Sequence, residues 1–266
     1  MADGTPATRP APGDGSLLEA RSISKRFGGI TALHDISLGI SPGEIVGLVG
    51  PNGAGKTTLF NCLNGQLRPE AGNIWFSGQL LDRMPAFRRA RLGIARTFQR
   101  IEMFPAFTVA EHFLVAERAR KGDARLWRDL LNMSKPTSSE LQCVDEMLEL
   151  VGLRDVASTP VAALSLGHCR LVELGRALCM EPRLLMADEP SSGLDVRETD
   201  ALARAICGIR ETKGTAILLV EHDLDMVAQV VDRVVVLDFG HEIARGPLAE
   251  VLKDPTVRHA YLGKTA

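Results

Sequence analysis

The sequence predicts an α/β protein with a mostly parallel core sheet, an antiparallel β region near its start and a helical region inserted in its middle. After Ser165, short apolar runs of strand length alternate with helical patterns, which is typical of a parallel sheet with helices on both faces. Early in the chain, a segment alternates apolar and polar residues like a half-buried antiparallel strand. Between these parts, residues from Thr108 to about Val161 follow a helical pattern.

The N-terminal β region begins with two predicted strands, Leu17–Ile23 and His34–Ile40, separated by a turn at Gly28-Gly29. In the second strand apolar residues alternate with polar or small ones, so we expect one face to be buried. The run Glu44–Val49 is almost continuously apolar, which predicts a central strand buried on both faces. Further strands are predicted at Gly72–Ser77 and Gly93–Phe98.

Two capping boxes predict helix starts in the middle of the chain, because a hydroxyl and a carboxylate can satisfy the free amide groups of a first helical turn. They are Thr108–Glu111 and Thr137–Glu140. The second is followed by apolar residues spaced as one buried helix face. These residues are Leu141, Val144, Leu148 and Val151.

The second half of the chain supplies the remaining strands and helices of the predicted parallel sheet. Strands are expected at Leu184–Ala187, Ala216–Val220 and Arg233–Leu237. Helices are expected at about Gly167–Cys179, Arg197–Glu211 and Asp223–Val231.

Composition narrows the classes of protein that this chain can be. A net charge of -2 does not indicate nucleic-acid binding, and no apolar run approaches the ~18 residues of a membrane span. The five cysteines include no CxxC pair, which favours reduced thiols over a disulfide framework. Met1–Ser16 has no apolar stretch of a signal peptide, so we expect a disordered tail there and one domain over residues 17–266.

A glycine-rich segment after the strand Glu44–Val49 predicts a phosphate-binding loop. It matches the pattern G-x-x-x-x-G-K-[ST] in the required order of strand, loop and helix. Glycines let the backbone amides turn inward around an anion, and the following helix adds its positive end. Lys56 would contact the β- and γ-phosphates, and Thr57 would bind Mg²⁺. The residues expected to bind the nucleotide are Gly50, Pro51, Asn52, Gly53, Ala54, Gly55, Lys56, Thr57 and Thr58.

An acidic pair follows the apolar strand Leu184–Ala187 and predicts the second half of this site. Asp188 at the strand end can hold Mg²⁺ through water. The next residue, Glu189, can act as the general base that activates the attacking water. An isolated Asp-Glu pair is usually a solvated turn, but the upstream phosphate-binding loop favours the catalytic interpretation.

Three further segments make the chain, from about Leu17 to its C-terminus, resemble ABC transporter nucleotide-binding subunits. They are Arg96-Thr97-Phe98-Gln99-Arg100, Leu164-Ser165-Leu166-Gly167-His168 and Ser192-Gly193-Leu194-Asp195, with His222 after the strand Ala216–Val220. The resemblance implies a P-loop NTPase of the ABC-ATPase fold. Its antiparallel β subdomain would be N-terminal, and its helical subdomain would span about residues 104–163.

The resemblance also implies roles for single residues. Gln99 would reach Mg²⁺ and the attacking water, and His222 would contact the γ-phosphate. Ser165 and Gly167 would bind the γ-phosphate of an ATP held by the opposite subunit, across an interface that also contains Asp195. Phe27 would stack on adenine, although a plain core aromatic is an alternative for that residue.

The signature segment departs from the family pattern Leu-Ser-Gly-Gly-Gln at two positions. Leu166 replaces a glycine, and its side chain could hinder the approach of phosphate to the backbone. His168 replaces the usual glutamine. Ser165 and Gly167 remain, so we expect activity to survive.

Within the family, the chain is similar to the LivG-like ATPases of branched-chain and hydrophobic amino-acid importers. The similar segments are Phe104–Val109, Glu111–Ala116 and His259–Gly263. Urea and short-amide importers use the same type of subunit, so the cargo stays open. The apolar residues Phe104, Phe107 and Trp127 are expected to form a groove for a membrane subunit, with burial in the core as the alternative.

The implied assembly is a clamp that uses ATP and Mg²⁺. Its expected partners are a second ATPase subunit, identical or paralogous, transmembrane permease subunits and, indirectly, a substrate-binding protein. The chain would lie peripherally on the cytoplasmic face of the cell membrane, with no nucleic-acid partner. The alternatives are the motor of a lipopolysaccharide-type exporter and a soluble ABC ATPase without a transport role.

Overall fold

Two β-sheets form the frame of the protein in a computed structural model that describes residues 15–97, 103–121 and 135–262. The strands are β1 (Leu18–Phe27), β2 (Ile30–Ile40), β3 (Ile45–Val49), β4 (Ala71–Phe76), β5 (Gln79–Leu80), β6 (Ile94–Arg96), β7 (Leu184–Asp188), β8 (Ala216–Val220), β9 (Arg233–Asp238) and β10 (His241–Gly246). The helices are α1 (Lys56–Asn64), α2 (Ala86–Arg91), α3 (Val109–Lys121), α4 (Ser138–Leu150), α5 (Leu166–Leu178), α6 (Val196–Lys213), α7 (Leu224–Val230), α8 (Leu248–Val251) and α9 (Pro255–Leu262).

The larger sheet has six strands in the order β10-β9-β3-β8-β7-β6, and only the β10–β9 pair is antiparallel. Every residue of β3, β7 and β8 is buried, as their continuous apolar runs predict. Because β3, β8 and β7 are parallel neighbours, their carboxyl ends meet at one edge of the sheet. The register places Val220 beside both Leu48 and Asp188 there.

The smaller sheet is antiparallel, with the strand order β2-β1-β4-β5. Both early strands are longer than predicted, since β1 continues past Ile23 and β2 begins before His34. The physical reason is irregular pairing: Ser22 and Asp35 have positive φ angles, and the β1–β2 register shifts nearby. Bulges of this kind interrupt the two-residue alternation by which a strand is recognised in sequence.

The helices of the middle region begin at the predicted capping boxes. The Thr108 amide donates to the Glu111 carboxylate at 2.7 Å, and the Thr137 amide donates to Glu140 at the same distance. The predicted apolar face of α4 needs one correction. Leu141 is 51% exposed, whereas Met147 is buried beside Val144, Leu148 and Val151.

Five short elements, α2, β5, β10, α8 and α9, are absent from the sequence predictions because they offer too few residues for a periodic pattern. Helix α2 nevertheless contains a fully buried arginine. The Arg89 guanidinium donates hydrogen bonds to the Cys62 and Leu63 carbonyls, in the last turn of α1, at 3.0 and 2.7 Å. It therefore joins α2 to carbonyl groups that the end of a helix leaves unpaired.

Within the described parts of the chain, none of the helices combines the length and the apolar character needed to cross a membrane.

Candidate nucleotide-binding site

The P-loop lies between β3 and α1 at the carboxyl edge of the core sheet. Gly50, Gly53 and Gly55 have φ angles of 145°, 83° and 103°, in the region that favours glycine. At Gly50 an added Cβ atom would lie 2.1 Å from the Leu237 carbonyl oxygen, so a side chain there would clash with the backbone of β9. The loop therefore requires glycine for its fold as well as for access to an anion.

Helix α1 begins without a side-chain cap, because Gly55 occupies the N-cap position and the first turn contains no acidic residue. Lys56 is 6% exposed, and its ammonium group donates to the carbonyl oxygens of Gly50 and Pro51 at 2.6 and 3.1 Å. Thr57 is exposed beside it. A helix N-terminus with amide groups free of side-chain caps and an adjacent cation is a suitable binding site for phosphate.

Asp188 lies at the end of β7 with a fully buried side chain. Neither of its carboxylate oxygens accepts a hydrogen bond from the described residues. Arg96 is a neighbouring cation, with its Nη2 atom 3.6 Å from Oδ2. Burial raises the pKa of Asp188, while the positive charges of Arg96 and Lys56 oppose that shift. A buried carboxylate with two unbonded oxygens beside Lys56 fits a divalent cation.

Glu189 follows in a left-handed backbone conformation with φ of 49°, which is uncommon for a residue other than glycine. Its amide donates to the Val220 carbonyl on β8 at 2.8 Å. The turn after Glu189 is closed by a hydrogen bond from the Ser192 amide to the Glu189 carbonyl at 3.2 Å. Glu189 therefore lies directly after β7, at the sheet edge where the P-loop lies.

His222 follows the end of β8, and its side chain is 56% exposed. Its amide donates to the buried carboxylate of Glu221 at 3.1 Å. Asp223 then begins α7 by accepting hydrogen bonds from the Asp225 and Met226 amides. The sheet thus brings the loops of Lys56, Asp188, Glu189 and His222 to one edge, although they come from distant parts of the chain.

The signature segment lies at the start of α5, where it is hydrogen-bonded to the first turn of α6. Ser165 is the N-cap of α5, and the Gly167 amide donates to the Glu198 carboxylate at 3.1 Å. Glu198 also accepts a hydrogen bond from the amide of Asp195, the N-cap of α6. One carboxylate therefore joins Gly167 to Asp195.

Leu166 and His168, the two residues that depart from the family's signature pattern, both contact neighbouring residues. Leu166 is 39% exposed, and its Cδ2 atom would lie 3.1 Å from a Cβ atom added to Gly193. Its side chain therefore lies against the loop that precedes α6. The Nδ1 atom of His168 lies 3.3 Å from the hydroxyl oxygen of Ser165.

The remaining predicted site residues are placed less closely or fall outside the description. Phe27 at the end of β1 is 48% exposed, with the Lys25 ammonium 5.3 Å from its ring centre. An aromatic ring that is half exposed is not a buried core residue. Gln99 and Trp127 lie outside the described residues.

Comparison with known proteins identifies the family. A family model described as ABC transporter matches residues 33–192. The chain belongs to the ABC transporter family. ATPases of this ABC family bind and hydrolyse ATP, and the grouping of a P-loop with acidic strand ends suits that chemistry. The predicted ABC-ATPase fold and its resemblance to LivG-like subunits are confirmed.

Relatives of this ABC chain include transport ATPases. It is 38% identical to the high-affinity branched-chain amino acid transport ATP-binding protein LivG of Escherichia coli (strain K12), over 93% of this chain and 98% of LivG. It is 33% identical to the methionine import ATP-binding protein MetN of Brucella abortus (strain 2308), over 93% of this chain and 64% of MetN. The solved ADP conformation of MJ1267, an ATP-binding cassette of an ABC transporter, matches with a TM-score of 0.78 and 30% identity, over 93% of this chain and 99% of that one.

Two residues at the site of this ABC protein were given no role from the sequence. Arg96 contributes a cation to Asp188, and Glu221 binds backbone amides of two neighbouring loops. Arg96 lies within the predicted segment Arg96–Arg100, but only Gln99 of that segment was given a role. The position of Glu221 directly before His222 was the only signal in the sequence.

Proposed function

We propose that this chain is the ATP-hydrolysing motor subunit of a multi-subunit ABC importer. The observation that carries the proposal is the meeting of three loops at one sheet edge, after β3, β7 and β8. Together they offer uncapped helix amides, a buried lysine, a buried aspartate and a glutamate in a strained turn. In-line attack of water on a γ-phosphate needs this combination of groups.

In the proposed site, Asp188 and Thr57 hold Mg²⁺, with Gln99 as a further ligand. When bound, the ion neutralises charge on the β- and γ-phosphates. Asp188 is suited to the metal because its oxygens accept no other hydrogen bond among the described residues. Lys56 leaves its two loop carbonyls to contact phosphate, and residues 50–58 surround the triphosphate.

Glu189 is the proposed general base, and His222 is the proposed γ-phosphate contact. Both follow neighbouring strands, β7 and β8, so a phosphate held by the P-loop would lie between them. The attacking water would give its proton to the Glu189 carboxylate while its oxygen forms the new bond to phosphorus. Phe27 would stack on the adenine ring.

The second half of each ATP site comes from a partner subunit in this proposal. Ser165, Gly167 and Asp195 would act on the ATP of the partner, which is an identical or a paralogous chain. Support comes from α5 and α6, whose starts are joined by Glu198 and so present these residues as one unit. Closure on two ATP molecules and reopening after hydrolysis would drive the transport cycle.

A groove of about 470 Å³ between α2, β6, α3 and α5 is the proposed docking site for a permease subunit. Phe87, Phe104 and Met180 line it, and they are 60%, 50% and 43% exposed. The ring of Phe107, which is half-buried, packs 5.1 Å from that of Phe104. Large exposed apolar side chains in one groove favour contact with another protein.

The side chain of His112 is hydrogen-bonded to the backbone of Phe104 and stabilises its position. Its Nε2 atom accepts a hydrogen bond from the Phe104 amide at 3.1 Å, and its Nδ1 atom donates to the Thr108 carbonyl at 2.9 Å. Burial lowers the pKa of His112, which keeps the ring in the neutral form that this pair of bonds needs.

The proposed cargo is a branched-chain or other hydrophobic amino acid. Urea or a short amide is the alternative. The name of LivG supports branched-chain substrates, while the name of MetN leaves other amino acids open. Cargo would be delivered by a substrate-binding protein to the permease subunits. The motor would sit peripherally on the cytoplasmic face of the cell membrane.

Replacing Glu189 with glutamine tests the hydrolytic half of the proposal. We expect E189Q to bind ATP within about threefold of the wild-type affinity, to lose about 100-fold or more in kcat, and to accumulate as an ATP-bound dimer in gel filtration. Hydrolysis at the wild-type rate would overturn the assignment of the base.

Replacing Phe104 with aspartate tests the docking groove. F104D should bind ATP normally, because the groove is separate from the P-loop, yet abolish cargo uptake in vesicles that contain the complete transporter. Leu141→Asp is the matched control, because Leu141 is equally exposed on α4 but lies outside the groove. Normal uptake by an assembled F104D complex would contradict the proposal.

A further inference from the structure

A buried glutamate beside the proposed catalytic residues accepts hydrogen bonds from the backbone of two loops. Glu221 follows β8 and is 0% exposed. Its Oε1 atom accepts a hydrogen bond from the Ser191 amide at 2.8 Å. Its Oε2 atom accepts one from the His222 amide at 3.1 Å and a longer one from the Asp223 amide at 3.5 Å. The two oxygens of one carboxyl group therefore hold two different loops.

The first of these loops is strained. Glu189 has φ of 49°, and a left-handed residue other than glycine persists only when its surroundings hold it there. Besides the turn's own hydrogen bond from the Ser192 amide to the Glu189 carbonyl, two contacts from β8 and its end hold this loop. The Glu189 amide donates to the Val220 carbonyl, and the Ser191 amide, two residues further, donates to Glu221. Val220 and Glu221 thus hold the turn at both ends.

The second loop carries His222, whose side chain is exposed and has little packing of its own. Its backbone is held by the bond from its amide to Glu221, and its Nδ1 atom lies 3.7 Å from the same Oε2. A movement of Glu221 would therefore shift Glu189 and His222 together.

We infer that Glu221 is a positioning residue that holds the proposed base Glu189 and the proposed γ-phosphate contact His222 in one fixed relation. It acts through backbone amides and touches neither the nucleotide nor the water. The inference rests on the proposed function, since it assigns Glu221 to the same hydrolytic site. A displacement of about 1 Å in such a site can cost about 100-fold in rate.

The test is the variant E221Q in the purified full-length chain. Glutamine has the same shape, but it replaces one acceptor oxygen with an NH₂ donor that would face a backbone N–H group. We expect kcat for ATP hydrolysis to fall about tenfold or more. The KM for ATP and the affinity for a fluorescent ATP analogue should stay within about threefold of the wild-type values, because the P-loop is unchanged.

Glu117→Gln is the matched control. The Glu117 side chain is 2% exposed and paired with Arg120 and Lys121 on α3, remote from the sheet edge. This variant should lose stability but keep kcat within about twofold of wild type. If E221Q does not fold, E221D retains both acceptor oxygens at a shorter reach and should show the same split between kcat and KM.

A double variant separates positioning from an independent role. If Glu221 acts through Glu189, E189Q/E221Q should hydrolyse ATP within about twofold of E189Q alone, because the two effects are not additive. A further tenfold loss in the double variant would overturn the inference. So would an E221Q protein with wild-type kcat, or one that loses affinity as much as rate. Normal hydrolysis by E189Q would instead overturn the assignment of Glu189 as the base. The positioning role of Glu221 would then be judged by the kcat and the ATP affinity of E221Q alone.

Discussion

The first backbone amides of two helices in this protein find their hydrogen-bond acceptors in different ways. The first amides of α1 meet no side-chain cap, since Gly55 is the N-cap and the first turn has no acidic residue. At α5, Ser165 caps the helix and the Gly167 amide donates to Glu198. Both starts are proposed to bind the phosphates of ATP. Free amides at a helix start need a hydrogen-bond acceptor. At α1 the side chains leave that place to a ligand, whereas at α5 side chains of the protein already fill it.

The difference shows that one chain can hold a binding site ready for its own ligand and another that is satisfied internally. The amides of α1 lie beside Lys56, and glycine at the N-cap keeps the approach open. The amides of α5 already have an acceptor in Glu198, which a phosphate from a partner would have to replace. A third start, at α4, has a complete capping box and an ion pair between Glu140 and Arg118, and none of the proposed ATP-binding residues lies there.

The largest effect should come from the helix start that lacks a cap. Replacing Lys56 with alanine removes the only buried ammonium at α1, and we expect ATP hydrolysis to fall about 1000-fold, which corresponds to about 4 kcal/mol. Affinity for a fluorescent ATP analogue should fall with it. Lys253→Ala is the control, because Lys253 is exposed just after α8 and is not among the proposed ATP-binding residues, and this variant should hydrolyse ATP normally. Retained activity in K56A would break the comparison.

The helix start with a structural role should respond in stability instead. The hydrogen-bonded Arg118 guanidinium, 2.9 Å away, holds the pKa of Glu140 at about 2, below its ordinary value of 4.5. Since the folded pKa is the lower one, this pair stabilises the fold above about pH 4.5, and the contribution is lost as pH falls toward 2. E140Q should therefore lower the free energy of unfolding by about 3 kcal/mol at pH 7, as measured by urea denaturation.

The pH dependence distinguishes the ion pair from simple packing. The difference in unfolding free energy between E140Q and wild type should narrow by about 1 kcal/mol when the pH falls from 4.5 to 3.5. Glu149→Gln on the same helix is the control, because Glu149 and Arg154 are 68% and 64% exposed and such pairs contribute little. If the difference in unfolding free energy between E140Q and wild type does not change with pH, the effect comes from side-chain packing and not from the ion pair.

The smallest effect should come from α5. Replacing Glu198 with alanine removes the acceptor of the Gly167 amide and the capping box of α6, at a cost of about 1 kcal/mol. For a protein of this size we expect the melting temperature to fall by about 2–4 °C in calorimetry. Glu211→Ala, exposed near the end of α6, should leave it unchanged. A wild-type melting temperature for E198A would show that the α5 start needs no internal acceptor.

Much of the fold could be predicted from the sequence because its signals are local. The strand β8 matches its predicted bounds of Ala216–Val220, and the capping boxes at Thr108 and Thr137 form as expected. The prediction was wrong at Leu141, which follows the helical period but faces solvent. Periodicity gives the spacing of a face but not its width, and only packing against other helices selects Met147 for the core.

The candidate site divides in the same way. The P-loop, Asp188 and Glu189 were predicted because a short motif requires particular residues next to each other in sequence. Their roles, and those of Gln99, Ser165, Gly167, Asp195 and His222, stay predictions until the variants are measured. Glu221 was missed because the amides that it binds, those of Ser191, His222 and Asp223, belong to two different loops, and Ser191 is 30 residues away.

The sequence by itself determined the family, the order of the core strands β3, β7, β8 and β9 along the chain and the residues of the phosphate-binding loop, since each depends on neighbouring residues. The tertiary structure alone decided which distant residues meet. The order β3-β8-β7 brings Lys56, Asp188 and His222 to one edge, and Glu198 reaches Gly167 across 31 residues. A single carboxyl group can satisfy amides of two separate elements only after those elements are packed together, and no local pattern records that packing.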